Sequence, residues 1–314
     1  MKVGIIGTGI MGSIMAGFLT DGGADVYCVD TYKEHVDAIN EKGLTLEHYI
    51  TGELTNYKVK AFTDASQFGA IMDVLIVLVK GPVTRMAATA AKCATNEKTL
   101  ILTLQNGVGN TEVLEEIFPR ENIMYGCMMV SGKVKAPGLV MKKYSAESYV
   151  SIGSVTGEYT EAMQEFTAVC AKGGLNLRFC KDIDREIWIK MITNCTGNPI
   201  CGITRLPVGR MLNTEIVDSG YQISLQIERE VVAVANAMGI ELETGHIKPV
   251  PTTNVHYPSM AQDIMAKRKT EIDNLNGAVV RYGKKYGVPT PFNEMATLLV
   301  KTIENNYQFQ WDAN

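Results

Sequence analysis

The chain has 314 residues, which is enough for two domains of ordinary size. Apolar residues make up 46% of it and charged residues 20%, a composition typical of globular proteins rather than of disordered or fibrous ones. The formal net charge is only -4 and is spread along the chain. This argues against nucleic-acid binding, which needs a clustered basic face, but a local basic pocket for a small anion stays open.

The seven cysteines are scattered without any C-x-x-C pair, and several lie in apolar runs. We interpret them as reduced core residues of a cytosolic protein; a catalytic Cys195 or Cys201 is the less favoured alternative. The four histidines do not have metal-ligand spacing, so no metal site is expected. No secretory signal is visible, and no apolar stretch approaches the roughly 20 residues of a membrane span. The sequence therefore predicts a cytoplasmic protein with no membrane partner.

Strand and helix patterns alternate through the first half of the chain. Predicted strands are 2–6, 25–30, 74–79, 99–104, 123–129 and 176–180. Predicted helices are 11–20, one that opens at the capping box Thr31-x-x-Glu34, 82–95, 111–117 and 158–171. Such alternation is typical of βαβ units on a parallel sheet, and residues 44–62 and 133–152 add further β-structure.

The pattern changes near Asp184, after which apolar spacing is helical to the end. We place a single domain boundary between residues 182 and 183. The predicted fold class is therefore α/β, with a doubly wound sheet in residues 1–182 and an all-helical domain in residues 183–314.

A G-x-G-x-x-G turn follows the first predicted strand and precedes the first helix. Its residues are Gly7, Thr8, Gly9, Ile10, Met11 and Gly12. The first glycine permits a tight turn, the second lets backbone approach a pyrophosphate, and the third lets helix pack on strand. The helix N-terminus then offers N–H groups to the phosphates. This context predicts a Rossmann-type dinucleotide-binding domain.

Asp30 ends the second strand, where a carboxylate can accept hydrogen bonds from both hydroxyls of the adenosine ribose. It would repel a 2′-phosphate, so NAD(H) is favoured over NADP(H). In the alternative, Asp30 only caps the following helix, and Lys33 is free to meet a phosphate.

Lys190, Asn194 and Asn198 lie four residues apart on a predicted helix that is otherwise mostly apolar. At this spacing they form one polar stripe. Buried amides need hydrogen-bonding partners, which favours a substrate-binding stripe over a solvent-facing one.

With these motifs the sequence resembles the ketopantoate reductase (2-dehydropantoate 2-reductase) family, within the 6-phosphogluconate-dehydrogenase-like superfamily. The matching features are GTGIMG at 7–12, the lysine after VLIVLV at 74–79, LQNGVG at 104–109, W-x-K-x-x-x-N-x-x-x-N at 188–198, and SMAQD…TEIDNLNG at 259–277. They occur in the family's order and cover nearly the whole chain.

The resemblance implies an oxidoreductase that passes a hydride from a nicotinamide cofactor to the 2-oxo group of 2-dehydropantoate, in pantothenate and coenzyme A synthesis. By resemblance, Lys190 is the catalytic lysine and Glu271 the catalytic glutamate beside it. Asn194, Asn198 and Ser259 match substrate-binding positions. Asn106 matches the residue that contacts both nicotinamide and substrate, and Lys80 matches one near the adenosine.

The sequence departs from the family's pattern at two points. Asp30-Thr31 stands where NADPH-using relatives typically have a basic residue, and His256 stands where we expect a further substrate-binding asparagine. Cofactor choice, the identity of the oxo acid and the role of His256 therefore stay open. Reduction of another branched or hydroxylated 2-oxo acid and a non-catalytic dinucleotide sensor are the alternatives, and a homodimer is neither indicated nor excluded.

Ser259 and Glu271 are assigned to one small substrate, yet one straight helix would put about 18 Å of rise between them. We therefore predict two helices, roughly 259–268 and 271–284, with a turn at 268–270. Ser259-x-x-Gln262 and Thr270-x-x-Asp273 supply the start signals, with Thr270 as the second N-cap.

Overall fold

The computed structural model describes residues 1–215 and 218–310, and the chain separates into two compact units. The first unit comprises Met1–Gln105 and Asn110–Ile183, and the second comprises Asn106–Gly109 and Asp184–Asn314. The short segment 106–109, which a single boundary near residue 182 assigns to the first domain, clusters with the second unit.

The first unit contains a parallel-rich sheet covered by helices. In chain order its elements are β1 (Lys2–Ile6), α1 (Ile10–Asp21), β2 (Asp25–Val29), α2 (Lys33–Lys42), β3 (Leu44–His48), β4 (Leu54–Tyr57), β5 (Lys60–Phe62), β6 (Val74–Val77), α3 (Thr84–Ala91), β7 (Leu100–Thr103), α4 (Asn110–Glu115), β8 (Ile123–Met128), β9 (Ser131–Ala136), β10 (Leu139–Lys143), β11 (Val150–Ser154), α5 (Glu161–Lys172) and β12 (Leu177–Phe179). The predicted strands and helices of this half are therefore present, with ends that differ by a few residues.

Eight of these strands form one sheet in the order β12-β11-β8-β7-β6-β1-β2-β5. All its neighbours are parallel except β8 and β11. The chain leaves β1 in one direction through β2 and β5, then returns to β6 and continues the other way. This is the predicted doubly wound arrangement, and its direction changes between β1 and β6. Ligands of such sheets bind beyond the carboxyl ends of the strands at that point.

A smaller sheet, in the order β4-β3-β10-β9, contains most of the segments predicted as additional β-structure. Leu46 of β3 and Val140 of β10 are buried in the same apolar cluster as Ile14 and Met15 of α1. The smaller sheet therefore packs on the helix that follows the glycine turn and helps to hold it.

The regular secondary structure of the second unit is all helical over its described residues, as predicted, and loops connect the helices. Its helices are α6 (Ile183–Thr204), α7 (Val208–Met211), α8 (Ser219–Ala237), α9 (Ser259–Met265), α10 (Asn276–Tyr286) and α11 (Pro291–Asn305). The core includes Val231, Val279 and Val300, which come from α8, α10 and α11 and are fully buried. Burial of each such side chain contributes about 1.5–3 kcal/mol to folding.

The predicted capping box at Thr31-x-x-Glu34 is wrong. Helix α2 begins at Lys33 after an N-cap at Tyr32, without a side-chain capping bond. Instead the carboxylate of Asp30 accepts a hydrogen bond from the Tyr32 backbone N–H at 2.9 Å. A carboxylate two positions before the N-cap therefore orders the start of this helix.

Candidate active site

The glycine turn after β1 is held by backbone contacts. The N–H groups of Gly7 and Thr8 both donate to the Val29 carbonyl, at 2.9 and 3.1 Å. Gly7 has φ of 95°, and a Cβ there would stand 2.8 Å from the Leu78 carbonyl carbon. A Cβ on Gly12 would lie 2.1 Å from the Gly7 carbonyl oxygen. Glycine is therefore required at both positions by the protein's own packing.

The middle glycine has a different reason. A Cβ built on Gly9 meets no heavy atom within 4 Å. Gly9 is also the N-cap of α1, and no acidic residue or side-chain cap occupies the first turn of that helix. The space beside Gly9 and the N–H groups of this turn form a cradle suited to a pyrophosphate. The residues of the first unit thus fit a dinucleotide.

Asp30 and Lys80 follow β2 and β6, so both stand at the same carboxyl edge of the sheet as the glycine turn. Asp30 is half-buried, and its bond to the Tyr32 N–H uses one carboxylate oxygen. Lys80 is exposed and forms the N-cap of a short 3-10 helix at Gly81–Val83. Lys33, the alternative partner for a 2′-phosphate, instead pairs with Asp37 at 2.6 Å on the surface of α2.

The polar stripe predicted from the sequence lies on α6 of the second unit. Its flanking residues Trp188, Met191 and Ile192 are buried, which fixes the rotation of the helix. Lys190 and Asn194 are half-buried and Asn198 is 4% exposed. Because four residues advance an α-helix by about 6 Å, the three side chains can contact different groups of one small molecule.

Glu271 lies in the turn between α9 and α10 and is buried. The predicted break of the helix is present, and it is longer than expected: α9 ends at Met265, and α10 begins at Asn276. Lys267 has φ of 53°, a left-handed conformation that ends the first helix. A continuous helix from 260 to 280 is therefore excluded.

The start signals predicted around this break are wrong. The N-cap of α9 is Pro258, one residue before Ser259, and the N-cap of α10 is Leu275. The Thr270 hydroxyl accepts from the Ile272 N–H at 3.2 Å, but that turn does not continue into a helix. Glu304 of α11 accepts from the Thr270 N–H and pairs with Lys269, both at 2.6 Å. This tertiary contact competes with local capping and holds the segment that leads to Glu271.

Asn106 belongs to a loop that docks on the Glu271 segment. The Val108 N–H donates to the Asn274 carbonyl at 2.9 Å, and the Asn274 amide donates back to the Val108 carbonyl at 3.3 Å. A Cβ on Gly107 would lie 2.2 Å from the Asn274 carbonyl oxygen, so only glycine permits this approach. Asn274 is not among the site residues predicted from the sequence, although its place in the motif T-E-I-D-N-L-N-G was a usable signal.

Ser259 is the first residue of α9 and is exposed. His256, three residues earlier, is also exposed, and its backbone N–H donates to the Asn254 side-chain oxygen at 3.0 Å. The predicted site residues therefore form two groups. The first unit holds the glycine turn, Asp30 and Lys80, and the second unit holds Asn106, Lys190, Asn194, Asn198, Ser259 and Glu271.

Thiol and metal chemistry find little support in the described residues. Cys195 and Cys201 are fully buried, and burial raises the pKa of both thiols, that of Cys201 to about 12. A protonated, inaccessible thiol is a poor nucleophile, which disfavours the alternative of a catalytic cysteine. Across residues 1–215 and 218–310, no group of three or more His, Cys, Asp or Glu is placed to hold a metal ion. Over the same ranges, no helix is long and apolar enough to cross a bilayer.

Comparison with known proteins places these motifs within two family models. Residues 3–157 match the family model for ketopantoate reductase PanE/ApbA, and residues 182–304 match the model for its C-terminal part. A 2-dehydropantoate 2-reductase from Aquifex aeolicus is 31% identical over 314 residues, covering 97% of each chain. The chain belongs to the ketopantoate reductase family. It is accordingly an NAD(P)-dependent oxidoreductase that reduces a keto acid.

Two solved structures extend this likeness to the fold. A ketopantoate reductase of the PanE/ApbA family from Ralstonia eutropha JMP134 is 31% identical, with a TM-score of 0.87 over 98% of this chain and 100% of its own. The ternary structure of D-mandelate dehydrogenase with NADH and anilino(oxo)acetate is 29% identical, with a TM-score of 0.89 and the same coverage. The ketopantoate reductase fold therefore serves enzymes with more than one substrate.

Proposed function

We propose that this ketopantoate reductase family member reduces 2-dehydropantoate to pantoate with NADH as the preferred hydride donor. The observation that carries the proposal is the stripe of Lys190, Asn194 and Asn198 on a buried helix, in the unit that also holds Glu271. A 2-oxo acid needs one cationic donor for its reacting oxygen and several neutral donors for its other oxygens. The stripe supplies one lysine and two amides in a single line.

In this proposal the Lys190 ammonium donates a hydrogen bond to the 2-oxo oxygen. The bond strengthens as negative charge develops on that oxygen, so it lowers the barrier more than it strengthens substrate binding. Lys190 also supplies the proton that converts the alkoxide to the hydroxyl. When bound, the reduced nicotinamide supplies the hydride for the oxo carbon.

The other residues bind and orient the substrate. Asn194 and Asn198 donate hydrogen bonds to its carboxylate or hydroxyl oxygens, and Glu271 accepts from the reacting hydroxyl on the lysine side of the site. Ser259 adds a hydroxyl at the start of α9. Asn106 contacts both substrate and nicotinamide, held by the loop that docks on Asn274. In the first unit, residues 7–12 hold the pyrophosphate, and Asp30 and Lys80 contact the adenosine end.

NADH preference rests on Asp30. Its carboxylate stands at the end of β2, where the adenosine ribose of a dinucleotide is expected, and Lys33 is already paired with Asp37. NADPH is the alternative donor. Because the chain belongs to a family of enzymes, the alternative of a non-catalytic dinucleotide sensor is no longer supported.

A second candidate substrate is a bulkier or aromatic 2-oxo acid. It is favoured by the likeness to D-mandelate dehydrogenase and by His256, which replaces the expected asparagine. Within the same fold, such an enzyme would use the same lysine and a differently shaped pocket.

A substrate panel tests both candidates. It contains 2-dehydropantoate, phenylglyoxylate, 2-oxoisovalerate and pyruvate, each assayed by oxidation of NADH and of NADPH. The proposal expects the highest kcat/KM with 2-dehydropantoate and NADH. A higher kcat/KM with phenylglyoxylate would replace the proposed substrate by the second candidate. Absence of turnover with every oxo acid would contradict the assignment of the stripe.

A further inference from the structure

A proline lies within the helix that carries the proposed substrate-binding stripe. Pro199 lies inside α6, directly after Asn198. Proline has no N–H, so the carbonyl of Cys195, four residues earlier, lacks its usual helical donor, and the ring pushes that carbonyl outward. Cys195 is fully buried, so solvent is not positioned to replace the missing donor. A buried carbonyl in this position needs another partner.

Asn276 supplies that partner from another helix. It is the first residue of α10, and its side-chain Nδ2 donates to the Cys195 carbonyl at 3.0 Å. Asn276 is 0% exposed, so the bond forms away from water. In the chain, Asn276 also lies five positions after Glu271. One side chain therefore connects the Lys190 helix to the Glu271 segment within the second unit.

The orientation of the Asn276 amide is set by a chain of hydrogen bonds. Glu230 of α8 accepts from the Asn293 Nδ2 at 2.7 Å and from the backbone N–H groups of Phe292 and Asn293, each at 2.9 Å. An ionised carboxylate only accepts, so Asn293 must direct its NH2 group toward Glu230 and its oxygen toward Asn276. Asn276 must then direct its own NH2 group toward Asn293, at 2.9 Å, and Cys195.

One atom of the Asn276 amide has no hydrogen-bond partner in the described part of the chain. The Asn276 Oδ1 is buried and has no hydrogen-bond partner among the described residues. An unpaired buried acceptor is destabilising, and an apolar side chain at this position would avoid it. The Nδ2 bonds must therefore contribute something that apolar packing does not supply.

We propose that Asn276 is a positioning residue for substrate binding. By holding the Cys195 carbonyl that Pro199 leaves without a helical donor, it fixes the course of α6 at this point and hence the place of Asn198 relative to Lys190 and Asn194. The inference rests on the proposed function, because it assumes that these three side chains bind the oxo acid. Asn276 itself does not touch the reacting atoms.

A double-mutant cycle with Pro199 tests this proposal. Pro199→Ala restores an N–H at position 199, which gives the Cys195 carbonyl a donor from its own helix. Asn276→Ala in the wild-type background should raise KM for 2-dehydropantoate about tenfold, the expected effect of one lost hydrogen bond at a buried carbonyl. Added to Pro199→Ala, the same substitution should change KM by less than about twofold.

The readouts separate positioning from stability. The Kd of the dinucleotide, whose turn lies in the first unit, should stay unchanged in all four proteins. A purely structural role would lower the urea midpoint of Asn276→Ala and leave KM unmoved, and this result would overturn the proposal. An equal rise in KM in both backgrounds would also overturn it, because the effect would then not pass through the Cys195 carbonyl.

A matched control and a fallback complete the test. Ser224→Ala removes another side-chain hydrogen bond to a helix carbonyl, from the fully buried Ser224 hydroxyl to Gly220 within α8, and should leave KM unchanged. If Asn276→Ala does not fold, the cycle is measured with Asn276→Gln, which keeps an amide but displaces it from the Cys195 carbonyl. A raised KM that Pro199→Ala suppresses supports the proposal, and an unchanged KM contradicts it. If wild type does not reduce 2-dehydropantoate, only the proposed substrate fails, and the KM cycle is measured with the best oxo acid of the panel.

Discussion

The two units bring their proposed ligand-binding groups together in different ways. The glycine turn of the first unit is contiguous in sequence. Gly7 and Gly12 allow the backbone to pack, and the absence of a side chain at Gly9 leaves space for the proposed phosphate contacts of backbone N–H groups. The second unit presents side chains from segments far apart in the chain, including Asn106, Lys190 and Glu271. The first kind of site depends on local conformation and space. The second depends on tertiary contacts, such as those of Asn274 and Asn276, that hold separate segments in register.

The largest effect should come from the lysine of the second unit. Lys190→Ala removes the donor to the 2-oxo oxygen, so kcat should fall by about 10²- to 10⁴-fold. The Kd of the dinucleotide should be nearly unchanged, because the glycine turn lies in the other unit. Steady-state kinetics and dinucleotide titration measure the two effects. A variant that retains more than about a tenth of the wild-type kcat would remove Lys190 from the mechanism.

In the first unit, two glycines of one turn should respond differently. Gly9→Ala places a Cβ in the space beside the turn, where no protein heavy atom lies within 4 Å, so the thermal midpoint should change little. Dinucleotide affinity should fall by roughly 150-fold, as expected when about two charge-assisted hydrogen bonds to phosphate are lost. Titration with NADH and thermal unfolding give the two quantities.

Gly7→Ala is the matched control for that variant. Its φ of 95° and the 2.8 Å contact with Leu78 make any side chain there strained, so the thermal midpoint should fall even without ligand. Equal stability losses in both variants would show that the space beside Gly9 is occupied by the protein and not reserved for a ligand.

The same contrast explains what could be predicted from the sequence. The doubly wound order, the glycine turn and the polar stripe on α6 could be predicted, because they depend on local periodicity and fixed spacing, which can be read from a single sequence. The start of α10 at Asn276 rather than at residue 271 does not follow from such signals. No helix starts at Thr270. Instead its backbone N–H donates to Glu304, which lies 34 residues away in the chain. At Asp30, likewise, the carboxylate and not the Thr31 hydroxyl orders α2.

The role of Asn276 lay outside sequence reasoning for a related reason. The missing donor at Pro199 is visible in the sequence, because a proline in the interior of a helix leaves the carbonyl four residues earlier without its helical donor. Which side chain replaces the donor depends on how α6, α8, α10 and α11 pack. The pairing of Gly107 with Asn274 is likewise a contact between distant segments. Both require tertiary structure.

A smaller effect is expected at Asp30, in the choice between two dinucleotides. Repulsion between its carboxylate and a 2′-phosphate should contribute on the order of 1–3 kcal/mol, so wild type should favour NADH over NADPH by roughly 5- to 150-fold in kcat/KM. Asp30→Asn should reduce that preference. Kinetics with both cofactors measure it.

Asp37→Asn provides the comparison for cofactor choice. It removes the partner of Lys33 on the same helix and leaves Asp30 in place. Improved use of NADPH by this variant would show that Lys33 can reach the 2′-phosphate once released. A wild-type preference for NADPH would mean that Asp30 serves only the Tyr32 N–H at the start of α2.

The smallest expected effect is a pH dependence of stability in the first unit. His35 of α2 is buried, and its Nδ1 accepts from the Gly138 N–H at 2.9 Å. Burial lowers the pKa of His35, an effect that the nearby Asp30 charge opposes. The unfolded chain, with a histidine pKa of about 6.5, therefore binds more protons than the folded one just below that pH. The stability that neutral His35 contributes to the folded protein is therefore fully present above about pH 6.5 and should decrease as the pH falls toward the folded pKa.

The variant His35→Asn tests this dependence. It keeps an acceptor for Gly138 without a titrating group, so its thermal midpoint should vary less between about pH 5 and pH 7.5 than that of wild type. The other histidines are present in both proteins and cancel in this difference. Identical pH profiles would show that His35 does not titrate in this range, and a steeper profile in Asp30→Asn would confirm that the Asp30 charge supports the protonated ring.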